Sequence, residues 1–436
     1  MGNKISSFLS NNFFKGDKCV WMIYFFLCMI SLVEIYSASS NLTFKSGNHW
    51  SPMISQAGFL VTGFIIILVV HRIPCKYFKL LPLVMLPLSL VLLVCTRVVG
   101  GDINNSQRWL SFGFISFQPS EIAKTALILS IAMILSKTQC EVKLNTKKGS
   151  RIVPRAVKGG RTRPFWWCVM MIVPICGLIC TENFSTACLL FVVVVVLMFI
   201  GHIPYDLMFK GLGVVFAIAA IGVTTLLSLS DSQLQSVTFL KRATTWKSRI
   251  EDKFGINQEA KGDTPTLADI QRQETNARIS ISNSDIIGRG AGNSEGRDFL
   301  YRAESDFIYA IIVEELGVLG GGFLLGLYLT LLIRTGRIAQ RCDKFFPSFV
   351  VMGLGMMITL QALVNMGVAV GMLPVTGQTL PLISKGGSSI LMVSFNIGMI
   401  LSISRYADKV QETRNKPAET VSSNETEEYF SSVGME

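Results

Sequence analysis

Residues 186–203 read TACLLFVVVVVLMFIGHI, eighteen consecutive positions without an acidic side chain, lysine or arginine. The run Val192 to Val196 alone would suit a strand, but strands of soluble folds extend only about 4–8 residues before a turn. As a helix rising ~1.5 Å per residue the stretch reaches ~27 Å, close to the ~30 Å hydrocarbon core of a bilayer. We read it as a membrane-spanning helix. A β-branched run is tolerated there because a helix satisfies every backbone polar group internally.

The same pattern recurs at 19–39, 53–71, 78–97, 119–137, 165–182, 210–230, 306–333, 346–370 and 387–404, which makes ten apolar segments. Over all 436 residues, 50% are hydrophobic and 16% charged, where a soluble chain carries about 25% charge. A soluble enzyme is excluded on that ground. The expected fold is an all-α polytopic membrane protein with ten transmembrane helices, both termini cytoplasmic and a long extracytoplasmic loop between helices seven and eight. Its expected parts are a cytoplasmic N-terminus (1–18), a ten-helix membrane domain (19–404, with the loop at 231–305) and a cytoplasmic tail (405–436). The tail is rich in Glu, Ser, Thr and Asn, a composition expected to stay disordered.

Orientation follows from the basic residues, which accumulate in short cytoplasmic loops. With the N-terminus inside, the inner segments hold 24 Lys and Arg and the short outer loops only Lys45, Arg97, Arg108 and Lys385. The net charge of +11 is thereby a topology signal, and no nucleic-acid partner is expected. The ten cysteines and three histidines show no metal-ligand spacing, and no disulfide framework is expected.

Ionisable groups inside a span are expensive, so each one is a functional or pairing hypothesis. Glu34, Glu121, Lys124, Asp306, Glu314 and Glu315 are the ones to weigh. Glu121 and Lys124 share a helix face, and Glu314 falls at a depth where it could meet Lys124. A structural ion-pair group of Glu121, Lys124, Glu314 and Glu315 is favoured over contact with substrate. Asp306 is placed as the first residue of the eighth helix at the outer face, either capping that helix or reaching a substrate. Polar residues gathered at 101–118, 241–305 and 373–389 favour the second reading. They supply Arg108, Trp109, Lys241, Arg242, Gln273, Lys385, Ser388 and Ser389 as substrate-binding candidates, and Gly288 to Ser294 as a weak phosphate-cradling turn.

Several segments together resemble the SEDS family (shape, elongation, division and sporulation). They are Gln107-Arg108-Trp109-Leu110, Phe117 to Lys124, Gly288 to Ser294, Ser305-Asp306-Phe307-Ile308-Tyr309-Ala310 with Glu314-Glu315-Leu316-Gly317, and Asn365-Met366-Gly367-Val368 through Leu373-Pro374 to Ser389. The wording around Asn365 and Thr379 to Ser384 is closer to the division branch than to the elongation branch. Glu304-Ser305 stands where the family usually has His-Thr, Lys385 where it has Tyr and Ser284-Asp285 where it has Gly-Gly, and 256–270 reads as an insertion.

The resemblance implies a peptidoglycan glycan-strand polymerase that joins two lipid II molecules with release of undecaprenyl pyrophosphate, Asp306 being the catalytic base. It implies a class B penicillin-binding protein and other division proteins as partners, and a place in the bacterial inner membrane at the septum. A divalent cation such as Mg2+ is the one cofactor it suggests, with its ligands unknown. The alternative is a flippase for the lipid-linked precursor. That reading would need polar groups at mid-membrane and on both faces, whereas here most candidates outside the spans crowd the outer face.

Overall fold

A computed structural model describes residues 15–38, 50–99, 109–112, 115–146, 149–156, 162–228, 265–300 and 303–415. Its helices are α1 (Lys18–Ala38), α2 (Ser51–Val70), α3 (Leu81–Val99), α4 (Pro119–Thr138), α5 (Arg163–Glu182), α6 (Phe184–Ile200), α7 (Tyr205–Ser228), α8 (Pro265–Ser282), α9 (Gly296–Phe299), α10 (Ile308–Arg341), α11 (Phe345–Ala369) and α12 (Gly387–Asn415). By length and apolar composition eight of these, α1, α2, α4, α5, α7, α10, α11 and α12, can cross a bilayer. Two shorter apolar helices, Leu81–Thr96 within α3 and Phe184–Ile200, complete the ten apolar segments read from the sequence. The protein is a polytopic α-helical membrane protein.

The core lies where α4, α11 and α12 meet, since 78% of each apolar window there is buried, against 6% for α7. On α7 the side chains of Phe209, Phe216, Ile218 and Ile221 are exposed, as suits a helix bathed in lipid tails. The centre of the bundle instead carries polar side chains: Thr125 Oγ1 of α4 donates to Asn396 Oδ1 of α12 at 3.0 Å.

Four segments differ from expectation. The basic stretch read as a loop at 138–164 forms an antiparallel hairpin, β3 (Gln139–Thr146) with β4 (Gly149–Ala156), following a smaller one of β1 (Leu110–Phe112) with β2 (Ile115–Phe117). Within the long outer insert, Pro265–Ser282 is helical, and part of the stretch read as an insertion opens that helix; residues 256–264 lie outside the described ones. The tail is helical through Asn415 because α12 continues ten residues past Arg405; the rest of it lies outside the described residues.

The fourth difference sets up the site. α10 has 34 residues, ~51 Å at ~1.5 Å per residue, too long for one upright span. It is interrupted at Gly317 (φ 73°, ψ −177°), leaving an inner piece, 308–316, and a spanning piece, 318–341. The loop before α9 fills the break: the amides of Arg289 and Gly290 donate to the carbonyls of Glu314 (3.1 Å) and Glu315 (2.9 Å), and those of Val318 and Leu319 to Asp285 and Ile286 (both 3.3 Å). Gly288 (φ 81°) and Gly317 press against each other, so that a Cβ on Gly317 would collide with Ile286 O and the Gly288 amide. Only glycine satisfies both the positive φ and the close approach.

Candidate functional site

Asp306 does not open its helix. It sits in the turn Ala303–Asp306, two residues before α10, and is half-buried. The helix starts only at Ile308 because the turn's carbonyls are claimed from outside it. Asn365 Nδ2 of α11 donates to Asp306 O at 3.0 Å and to Gln378 O at 2.8 Å. Ser384 Oγ donates to Ser305 O at 2.6 Å and accepts from the Leu380 amide at 2.7 Å. The Lys385 amide donates to Glu304 O at 2.9 Å. Residues 304–306 are thus stitched to the segment 378–385 that leads into α12, while the Ser305 hydroxyl donates to Asp306 Oδ1 at 2.8 Å.

That segment is itself held by several helices. Tyr328 OH of α10 donates to Pro381 O at 2.6 Å, and Ser31 Oγ of α1 to Ile383 O at 3.1 Å. Gln361 Nε2 of α11 donates to Thr379 O at 3.0 Å, and its Oε1 accepts from Lys124 Nζ at 2.9 Å. Lys124 also pairs with Glu121 at 2.8 Å. The Glu121–Lys124 pair is therefore a support beneath the loop. Leu382 has φ 67° with its side chain buried, a sparsely populated conformation of the kind that collects at functional sites.

Glu314 does not join that pair. Its carboxylate accepts from Ser294 Oγ (2.6 Å) and from the amides of Glu295 (3.1 Å) and Gly296 (3.2 Å) at the start of α9. Glu315 accepts from Ser37 Oγ of α1. Both glutamates sit on the short piece 308–316, where the loop at 294–296 claims Glu314 and α1 claims Glu315. In the turn Gly288 to Ser294 the amides of 289 and 290 are spent on α10 and that of 293 on Gly290 O, so those three are not offered to a phosphate. Along α10, Gly321 is closed over by Val313 and Tyr309, while Gly322 has open space beside it.

α4 and α12 begin at the same end of the bundle. Lys124 lies near the start of α4 and reaches Gln361, which holds Thr379 O; Thr379 in turn lies beside Gly386, just ahead of α12. At these two starts the hydroxyls of Ser120, Ser388 and Ser389 are buried and have no hydrogen-bond partner among the described residues. Helix N-termini carrying uncommitted donors suit an anion. The structure therefore brings Asp306, Lys385, Ser388 and Ser389 into one neighbourhood, with Lys385 exposed and the two serines buried behind it. Ser120, Asn365, Gln378 and Ser384 join it without having been singled out beforehand, because their roles depend on contacts far apart in sequence.

Trp109 is half-buried just before β1, and Gln273 is half-buried on α8, whose Arg278 Nη2 reaches Gly371 O at 3.1 Å. Arg108, Lys241 and Arg242 lie outside the described residues. Among the described residues no group of three or more His, Cys, Asp or Glu gathers to hold a Mg2+ ion, and the contacts that fix the Asp306 turn come from hydroxyls and amides.

The family model for FtsW, RodA and SpoVE, described as cell cycle proteins, matches residues 17–409. The chain belongs to this family. Two of the family's curated members that it is similar to carry the name probable peptidoglycan glycosyltransferase FtsW. The one from Coxiella burnetii is 29% identical over 88% of this chain and 95% of its own length. The one from Pseudomonas fluorescens is 30% identical over 86% and 84%. Among solved structures, a peptidoglycan synthase complex described as coordinating polymerization and crosslinking contains a chain of this fold (TM-score 0.67, 24% identity, 90% of this chain and 98% of that one). RodA of Thermus thermophilus shares the fold at TM-score 0.59 and 22% identity, over 89% of this chain and 97% of its own.

Proposed function

We propose that this FtsW/RodA/SpoVE family member is a peptidoglycan glycosyltransferase of the division type, joining the glycan of one lipid II to the 4-hydroxyl of another and releasing undecaprenyl pyrophosphate. Family membership and the naming of its relatives support the reaction class. The observation that carries the site assignment is the stitching of the Asp306 turn to the segment that opens α12 beside three buried, uncommitted hydroxyls.

Asp306 is the base that takes the proton of the attacking hydroxyl. The Ser305 hydroxyl, donating to its Oδ1 at 2.8 Å, helps to hold the carboxylate in one orientation. The leaving pyrophosphate is met by the starts of α4 and α12 with Ser120, Ser388 and Ser389, and by the exposed Lys385. Arg108, Lys241 and Arg242 add positive charge from the outer loops, and Trp109 and Gln273 contact the sugars. A single displacement inverts the anomeric centre. The protein works in the bacterial inner membrane at the septum beside a class B penicillin-binding protein, which crosslinks the strand made here; the solved synthase complex supports that pairing.

Purified protein in lipid vesicles with lipid II, alone and with its penicillin-binding partner, separates this reading from a flippase. The proposal expects glycan strands in at least one of the two conditions. Lipid II movement across the bilayer without polymer in either condition would contradict it.

A further inference from the structure

Glu34 of α1 and Glu315 of α10 are buried together in the bundle, each with no solvent exposure and within electrostatic reach of the other. Ser37, one turn after Glu34 on the same face, donates its hydroxyl to Glu315 Oε1. The remaining three carboxylate oxygens, Glu34 Oε1 and Oε2 and Glu315 Oε2, have no hydrogen-bond partner among the described residues. The other buried glutamates are answered differently: Glu121 by Lys124, Glu314 by a hydroxyl and two amides, and Glu182 by Thr96. Ion pairs among the described residues involve neither Glu34 nor Glu315. Two carboxylates taken out of water together are strongly unfavourable unless a proton or a bound cation neutralises them.

We propose that Glu34, Glu315 and the Ser37 hydroxyl bind one divalent, oxygen-preferring cation. The donors are all hard oxygens, with no thiol or imidazole among them, which selects the Mg2+, Mn2+ and Ca2+ class over softer metals. One divalent ion balances two carboxylates. Ser37 Oγ keeps its lone pairs for the ion while its proton is engaged with Glu315, and water completes the shell, as hard cations commonly require.

The position gives the ion a task. Glu34 lies four residues from the end of α1 at Ala38, and Glu315 two residues before the break at Gly317. The ion clips α1 to the inner piece of α10, which follows the Asp306 turn directly. One turn before Glu34, Ser31 holds Ile383 O, next to the Ser384 that holds Ser305. The ion is a structural clamp behind the turn, separate from the place where pyrophosphate is met, and its existence does not depend on which reaction the site performs.

Full-length protein in nanodiscs, stripped with EDTA and titrated with Mn2+ alone, tests it by electron paramagnetic resonance and by melting temperature. Wild type is expected to bind one Mn2+ more than the Glu34→Gln/Glu315→Gln double variant. Mn2+ is expected to raise the wild-type melting temperature by several degrees while leaving the variant's unchanged, with Mg2+ but not Na+ competing. In EDTA the double variant should melt no lower than wild type, because removing both charges removes their repulsion. Should the double variant fail to fold, Glu34→Gln alone serves, and Ser37→Ala should weaken Mn2+ binding by about tenfold. Equal Mn2+ stoichiometry in wild type and variant, or a wild-type melting temperature indifferent to Mn2+ and EDTA, overturns the proposal.

Discussion

Asn365 holds the site with one side-chain nitrogen. Its amide bridges Asp306 O and Gln378 O, so Asn365→Ala strands two inward carbonyls, each worth about 1–3 kcal/mol, and releases the turn that aims Asp306. A displacement of ~1 Å at a catalytic group costs on the order of 10²-fold in rate. Lipid II turnover by purified Asn365→Ala should fall by about that factor with a modest loss of melting temperature. Lys124 behaves differently. Lys124→Ala leaves Glu121 buried without its cation, which costs about 3–5 kcal/mol, and removes the donor to Gln361 that steadies Thr379. Membrane abundance and activity should fall together; normal abundance with complete loss of activity would instead make Lys124 a substrate contact. The Glu121–Lys124 pair was legible from a three-residue spacing on one helix. The partners of Glu314 were not, because its ligands, Ser294 and two amides, come from a loop whose approach no local pattern encodes.

At the scale of elements, the break in α10 has the largest consequence. Gly317→Ala would place a Cβ against Ile286 O and the Gly288 amide at a positive φ, so the loop would have to leave the break and four backbone hydrogen bonds with it. We expect loss of stable protein, read as proteolysis between α8 and α10 and a fall in melting temperature. In sequence, Glu314-Glu315-Leu316-Gly317 lies inside an apolar run that reads as one helix, since a lone glycine seldom stops a membrane helix; the inserted loop makes the difference. His71, just past the end of α2, offers a pH test. Burial pushes its imidazole below the ordinary value, and its Nδ1 meets Ile67 O at 3.0 Å. The folded protein thus favours neutral His71: its contribution is complete above the unfolded value of about 6.5 and is lost as pH falls through the lower folded one. The melting temperature should drop below about pH 6.5, and His71→Phe should reduce that drop.

For the whole molecule, the apolar segments announced a polytopic helical membrane protein, because bilayer thickness and internal hydrogen bonding leave a chain few alternatives; the basic-residue bias adds an orientation to that architecture. What escaped notice were the elements outside the apolar runs: the hairpin at 139–156, the outer helix α8 and the helical continuation of α12 to Asn415. Their polar compositions carry no periodicity strong enough to separate them from loop. The orientation makes a direct prediction. A membrane-impermeant thiol reagent applied to cells of a background with its native cysteines removed should label Gln273→Cys, and should reach Lys344→Cys only after permeabilisation. The reverse pattern would invert the topology and put Asp306 on the wrong side for this chemistry. The central claim is that Asp306 takes the proton from the attacking sugar hydroxyl, and lipid II polymerisation by purified Asp306→Asn beside wild type tests it most directly. The account predicts glycan strands from wild type and none from a variant of equal abundance and melting behaviour; strands made by Asp306→Asn at the wild-type rate would contradict it.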